Sequence, residues 1–271
     1  MSTLPFQIVA FDLDDTLLRE DLSISAETLK TLHSLQTAGV LLIPASGRAQ
    51  RSISPFVKKI GGIPFYIACN GAEIRDGKTD HLVHGEQFSV ETGREIAAFG
   101  KRWDVYTQTY EGDYFFYNDE SVWAERYAKA TMLTGKHVGD LEAFIQEPRN
   151  KILMMDDQEK IARMYLEASR QFAGRASVTC SKPWFLEFNP LDATKGIALK
   201  RICRIIGIDV SRCIAFGDSL NDLPMLQVAG WGVLMGNGRS DLREKCNDIC
   251  GTNQENGVAE YLKKVFREVL L

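Results

Sequence analysis

The sequence contains no apolar run approaching the ~20 residues that a membrane-crossing helix requires. Its 271 residues show no internal repeat and no low-complexity segment. The amino-terminal stretch, MSTLPFQIVAFDLDD, lacks a basic segment ahead of an apolar one, so a secretory signal peptide is not expected. Basic charge is not in excess either: 32 Lys and Arg face 36 Asp and Glu, a net charge of −4. Nothing in that balance attracts nucleic acid or an anionic lipid surface, and no nucleic-acid, membrane or protein partner is expected. The six cysteines include no CxxC pair and no cluster with histidine. They read as reduced, buried thiols, and the expected location is the cytoplasm. With 45% hydrophobic and 25% charged residues, the composition is that of a folded globular protein rather than a disordered or fibrous one.

What the chain does have is a rhythm. Phe6–Phe11 (FQIVAF), Val40–Ala45 (VLLIPA) and Pro64–Cys69 (PFYIAC) are short continuous apolar runs, the pattern of buried parallel strands. Helix-period segments separate them, one opened by Ser25 and stopped by Gly39. The same alternation returns from Lys195 to the carboxyl end, with CIAF (Cys213–Phe216) and WGVLM (Trp231–Met235) as strands. Strand–helix–strand succession predicts an α/β fold around a parallel, Rossmann-like sheet. Between about His84 and Phe188 the texture changes to aromatic-rich, alternating strands such as Tyr114–Tyr117 and Trp184–Phe188, which predicts half-exposed antiparallel strands. The division is therefore an α/β core over 1–83 and 189–271, interrupted by an inserted α+β domain over 84–188.

Ligands of open α/β sheets bind beyond the carboxyl ends of the strands. There the first strand presents Asp12-Leu13-Asp14-Asp15, the second Ser46-Gly47-Arg48, the third Asn70-Gly71, and CIAF presents Gly217-Asp218-Ser219-Leu220-Asn221-Asp222; Lys195 opens the helix leading into CIAF. Singly, each has an ordinary explanation, since Asp and Asn after a strand cap helices or form turns and a lone lysine is commonly solvated. Together, two acidic clusters facing each other across one sheet edge repel unless a cation lies between them. Oxygen ligands of this kind suit Mg²⁺, and a neighbouring lysine, hydroxyl and free backbone N–H groups suit a phosphate. The four histidines share no ligand spacing, and Cys246 and Cys250 have no histidine nearby.

These motifs resemble those of the haloacid dehalogenase-like phosphohydrolases, of the Cof type with a C2 cap of the C2B kind. Asp12-Leu-Asp-Asp-Thr-Leu-Leu18 is similar to their first motif, Ser46-Gly47 to the second, Lys195-Gly196 to the third and Gly217-Asp-Ser-Leu-Asn-Asp222 to the fourth; Asn70-Gly71-Ala72 and Met235-Gly-Asn237 are further signatures. Asp15 departs from the pattern, in which glycine is frequent. The resemblance implies a core with an inserted cap, and a phosphatase acting on a small phosphate ester such as a sugar phosphate, flavin mononucleotide or pyridoxal phosphate. It implies Asp12 as nucleophile, forming an aspartyl-phosphate, and Asp14 as general acid and then base. Mg²⁺ would be held by the Asp12 carboxylate, the Asp14 backbone carbonyl and Asp218, with Asp222 supporting bound water or orienting Lys195. Leu13, Ser46, Gly47, Lys195 and Asn221 would hold the phosphoryl oxygens. A phosphosugar mutase of the same fold and a non-catalytic phosphometabolite-binding protein are the alternatives. The first would need a bisphosphate activator, and the second is disfavoured by the presence of both Asp12 and Asp14.

Overall fold

A computed structural model describes residues 4–112 and 114–269. The chain opens with β1 (Ile8–Phe11), all four residues buried as a continuous apolar run demands. An irregular turn over Leu13–Leu17 leads to α1 (Ala26–Thr37), whose first turn is capped by the Ser25 hydroxyl accepting from the Thr28 N–H at 3.0 Å. Next come β2 (Leu41–Pro44), α2 (Gln50–Ile60), β3 (Phe65–Ala68) and an antiparallel pair, β4 (Glu73–Asp76) and β5 (Leu82–Gly85). The insertion then contributes α3 (Val90–Arg102), β6 (Tyr106–Glu111), β7 (Tyr114–Tyr117), α4 (Val122–Thr131), β8 (Thr134–His137) and α5 (Leu141–Phe144). It continues with β9 (Ile152–Met155), α6 (Gln158–Gln171), β10 (Ala176–Thr179) and β11 (Phe185–Pro190). The chain returns through α7 (Lys195–Ile206), β12 (Cys213–Gly217), α8 (Leu223–Val228), β13 (Trp231–Leu234), β14 (Asp248–Ile249) and α9 (Gly257–Val265). No helix of the described residues is long and apolar enough to cross a membrane.

The core sheet has the order β14-β13-β12-β1-β2, every neighbouring pair parallel. Its side chains alternate between two apolar layers: Val9 and Phe11 pack with Leu32, Leu42 and Leu262, while Ile8 and Ala10 pack with Ile43, Leu199 and Ile202. From β1 the chain crosses to β2 on one side and later arrives at β12 on the other, so the strand order reverses at β1. That reversal opens a crevice beyond the carboxyl ends of β1 and β12. A parallel bridge between Ala45 and Ile67 attaches β3, with β4 and β5 behind it, to the end of β2.

The second sheet has the order β10-β11-β9-β6-β7-β8, antiparallel except for the β7–β8 pair. One face is covered by α3 and α6 through Ile96, Phe99, Ile161, Met164 and Phe172. The sequence predicts that the other face is solvated, and here the structure differs. Tyr106–Tyr110 of β6 are all buried, because the second face packs on α4 and on core residues Cys69, Ala72 and Ala193. The cap is thus lowered onto the core, and its polar inward residues need partners there.

Within the core, Gly71 lies tight against the start of α7. Its φ is +111°, and a Cβ built there would lie 2.4 Å from the Thr194 carbonyl oxygen. Thr194 in turn caps α7, its hydroxyl accepting from the Ile197 N–H at 3.2 Å. Gly71→Ala is expected to cost about 2–3 kcal/mol of stability, measured as a lowered urea midpoint with an unchanged slope.

Candidate active site

At the crevice, α7 delivers Lys195, whose side chain is fully buried. Its Nζ donates to Asp12 Oδ1 at 2.5 Å and to Asp222 Oδ1 at 2.6 Å. The other Asp222 oxygen accepts the backbone N–H groups of Asp218 and Ser219, both at 3.0 Å. This closed loop needs Gly217, since a Cβ there would stand 2.4 Å from that of Asp222. Asp218 accepts from the Thr16 hydroxyl at 3.1 Å and the Ser219 hydroxyl at 2.6 Å. Carboxylate oxygens of Asp12, Asp218 and Asp222 all lie within 4.8 Å of one another, so this buried cluster could hold a metal ion.

Three carboxylates share one ammonium, and the imbalance shows in their acidities. Burial pushes the Asp12 carboxyl well above the usual range; Lys195 opposes this, but Asp222 and Asp218 add to it. Burial together with Asp222 pushes Asp218 up to about 7. Lys195 moves the other way from a buried amine: burial favours its neutral form, but Asp12 and Asp222 outweigh it and hold the ammonium.

Asp14 stands apart from this cluster. Its carboxylate pairs bidentately with Arg48, Nε to Oδ2 at 2.8 Å and Nη2 to Oδ1 at 2.7 Å. Burial raises the Asp14 pKa, but the hydrogen bonds and charge of Arg48 prevail and leave it below the ordinary value. Arg48 also donates to Ser52 Oγ at 2.7 Å and to the Ala130 carbonyl of α4 at 3.2 Å, so one guanidinium spans core and cap.

Of the residues singled out from sequence, Asp12, Asp14, Gly47, Asp218 and Asn221 line a cavity of about 550 Å³ between core and cap. Leu13, Ser46, Lys195 and Asp222 lie buried behind its wall. The Ser46 hydroxyl accepts from the Arg48 N–H at 3.1 Å. Asn221 donates through Nδ2 to Asn70 Oδ1 at 3.0 Å, while its own Oδ1 is buried with no hydrogen-bond partner among the described residues.

The structure adds Lys151, Glu187 and Asn189, which sequence reasoning passed over. Asn70, at the end of β3, donates to Glu187 and to Asn189, each at 3.0 Å, and Lys151 donates to Glu187 at 2.5 Å and to the Gly47 carbonyl at 2.8 Å. Glu187 belongs to β11 of the cap sheet and Lys151 immediately precedes β9, so a charge in or beside a mostly apolar strand carried the only signal. Asp15, at φ 58°, lies in the left-handed region that glycine tolerates best, and it pairs with Lys182 of the cap at 2.6 Å.

Comparison with known proteins agrees with this arrangement. The chain matches the haloacid dehalogenase-like hydrolase family over residues 9–262. A 5-amino-6-(5-phospho-D-ribitylamino)uracil phosphatase of Bacillus subtilis is 29% identical, with 98% of this chain and 99% of that protein covered. An HMP-PP phosphatase of Serratia proteamaculans is 26% identical, with 98% and 97% covered. A haloacid dehalogenase-like hydrolase from Bacteroides thetaiotaomicron superposes with a TM-score of 0.82 at 27% identity, covering 96% of this chain and 100% of that one. The match spans the parallel core, the inserted cap and every residue of the buried acid–lysine cluster, and this enzyme therefore belongs to the haloacid dehalogenase-like hydrolases.

Proposed function

We propose that the enzyme is a Mg²⁺-dependent cytoplasmic phosphatase that hydrolyses a small phosphorylated metabolite, a sugar phosphate or a phosphorylated cofactor, through an aspartyl-phosphate on Asp12. The observation that carries this reading is Asp12 fixed by a fully buried Lys195, beside Asp218, on the wall of a cavity roofed by the cap. The two phosphatases similar to it over nearly the whole chain support it, and its free cysteines suit a reducing compartment. In this reading residues 84–188 are the cap and 1–83 with 189–271 the catalytic core.

The donor set fits a hard divalent cation. Asp222 already accepts from Lys195 and two backbone N–H groups, whereas each Asp218 oxygen accepts only one hydroxyl and Asp12 accepts from Lys195 through Oδ1; burial first, and then the neighbouring carboxylates, push the Asp12 and Asp218 carboxyls up, as a site that a cation would relieve. Asp12 and Asp218, with the Asp14 backbone carbonyl, would hold the ion, and Asp222 would position Lys195. Bound there, Mg²⁺ supplies charge neutralisation between the Asp12 carboxylate and a phosphate dianion.

The chain's own groups do the rest. Asp12 attacks phosphorus in line, forming the Asp12–phosphorus bond as the bond to the leaving oxygen breaks. Lys195 holds Asp12 in one rotamer and offsets the charge gathering on the phosphoryl oxygens. The N–H groups of Leu13 and Gly47, the Ser46 hydroxyl and the Asn221 amide bind those oxygens. Asp14 gives a proton to the leaving alkoxide and then takes one from the water that cleaves the intermediate. Because Arg48 holds Asp14 as a carboxylate in the free enzyme, substrate entry must exchange that pairing before Asp14 carries the proton.

Asp12→Asn is nearly isosteric and is expected to lower phosphate release by about 10³-fold or more while circular dichroism stays native. Beryllium fluoride should label Asp12 in the native enzyme alone, and turnover by the variant near the native rate would refute the covalent route. Chelation is expected to abolish turnover and Mg²⁺ to restore it.

The metal also has a stability signature. Asp218, with a folded-state pKa of about 7, binds a proton that the unfolded chain, titrating near ~4, has released. Its contribution to stability therefore falls as pH rises from ~4 through about 7. In chelator the protein is expected to melt lower at about pH 8 than at about pH 5.5, and Mg²⁺ to raise the melting temperature more at the higher pH. Scanning calorimetry checks this, and an Mg²⁺ effect of equal size at both pH values would contradict it.

A further inference from the structure

A continuous run of buried hydrogen bonds passes through the cap and joins two loops of the core. Lys151 donates to the Gly47 carbonyl at 2.8 Å and to Glu187 Oε1 at 2.5 Å. The other Glu187 oxygen accepts from Asn70 Nδ2 at 3.0 Å, and Asn70 Oδ1 accepts from Asn221 Nδ2 at 3.0 Å. Both charged members are buried. Burial favours the neutral amine of Lys151, but the Glu187 carboxylate outweighs it and holds the ammonium. The run ends at Gly47 and Asn221, two of the positions that the proposed mechanism sets on the phosphoryl oxygens.

Each link has a direction that the next one inherits. At one end the Lys151 ammonium fixes the Gly47–Arg48 peptide and polarises it, which strengthens its N–H as a donor. That Arg48 N–H donates to Ser46 Oγ at 3.1 Å. A hydroxyl that already accepts there turns its own proton away, as donation to a phosphoryl oxygen requires. At the other end a carboxylate can only accept, so Glu187 draws the amide nitrogen of Asn70 to itself and leaves the amide oxygen facing Asn221. Asn189 Oδ1 takes a second bond from the same nitrogen at 3.0 Å. Asn221 must then offer one N–H to Asn70, which leaves its second for a phosphoryl oxygen. The two loops also touch: the Asn70 N–H donates to the Ser46 carbonyl at 3.0 Å, and a Cβ on Gly47 would stand 2.8 Å from Asn70 Oδ1.

We propose that Lys151 and Glu187 are positioning residues for phosphoryl transfer, acting through the Gly47 carbonyl and the Asn70 amide to aim Ser46 and Asn221 at the phosphoryl oxygens. The proposal rests on the phosphatase reading above. It gives the inserted domain a part in the phosphoryl site that is independent of the leaving group.

The test compares the native enzyme, Glu187→Gln and the double variant Lys151→Met/Glu187→Leu, each with Mg²⁺. It measures turnover of acetyl phosphate, calorimetric binding of inorganic phosphate, and melting temperature. Acetyl phosphate offers the cap almost no leaving group, so its turnover reports the phosphoryl site. Glu187→Gln keeps the shape, but its one side-chain oxygen cannot accept from both Lys151 and Asn70. In that variant kcat for acetyl phosphate should fall about tenfold or more, and the Kd of inorganic phosphate should rise about tenfold. The double variant buries no charge, so it should melt within about 5 °C of the native enzyme and still lose turnover and phosphate affinity at least as far. If it does not fold, Glu187→Gln decides alone. Values in Glu187→Gln within about threefold of native overturn the proposal and leave a phosphatase. Tighter phosphate binding in Glu187→Gln also overturns it, since the freed Lys151 ammonium would then be touching the anion itself. Native enzyme that binds phosphate, more tightly than Glu187→Gln does, yet releases none from acetyl phosphate or a panel of esters upholds the positioning and refutes the phosphatase reading. Native enzyme that neither binds phosphate nor turns over overturns both.

Discussion

One buried ammonium organises this molecule. Lys195 sits between Asp12 and Asp222 with its side chain fully enclosed, and removing such a charge from water is costly unless its partners are close and well aligned. The fold secures that alignment from three directions. β1 ends just before Asp12, β12 and its glycine turn fold Asp222 back under the strand ends, and Thr194 caps the helix that begins with Lys195. No single element could place both carboxylates, because Asp12 and Asp222 are far apart in sequence and meet only where β1 and β12 pair in register, Phe11 beside Phe216. The parallel sheet thus acts as the template for a charge arrangement that would be unstable elsewhere in the chain.

The arrangement is deliberately unbalanced. A well-satisfied ion pair is chemically quiet, whereas a third carboxylate beside one ammonium leaves affinity for a cation. A second buried pair, Lys151 with Glu187, carries the same logic into the cap. It reaches the Gly47 carbonyl on one side and, through Asn70, the amide of Asn221 on the other. Two of the loops that the proposed mechanism assigns to phosphate binding are therefore braced by residues of the inserted domain. A buried pair of this kind adds little net stability over an apolar alternative. Its consequence is registry: the cap cannot settle in a shifted position without stranding two charges.

How much of this was legible in the sequence follows from the range of each interaction. Parallel strands buried on both faces declare themselves as apolar runs: Ile8–Phe11 and Leu41–Pro44 occur within the segments read as strands, and Cys213–Gly217 runs one residue past the Cys213–Phe216 segment read as one. The acids and Lys195 were readable because they stand at strand ends or helix starts, where local pattern predicts location. The partners that complete the site were not readable. Lys151 and Glu187 look like ordinary charges in half-exposed strands until the second face of the cap sheet is known to rest on the core. Ile152–Met155 is as continuous an apolar run as β1, yet inside an insert of alternating texture it was passed over. Arg48 stood within a recognised motif, but its grip on Asp14 spans 34 residues and depends on where β1 and β2 end.

Asp15 shows how local cost and long-range gain are settled against each other. Holding a non-glycine residue at φ 58° is unfavourable, by about 1 kcal/mol for an aspartate. The carboxylate that comes with it pairs with Lys182 across the mouth of the cavity, and its backbone carbonyl accepts from Asn237 at 2.7 Å. Both partners of the ion pair are partly exposed, so water screens it and its value is at most of the order of the strain, ~1 kcal/mol. Stability alone then gives no reason to prefer aspartate over glycine at this point. What the aspartate does change is geometry: it fixes Lys182, whose ammonium stands over the Trp184 indole. A carboxylate at the edge of the acidic motif thereby reaches, through Lys182, the aromatic side of the cap, and ties the loop that bears the proposed nucleophile to the inserted domain.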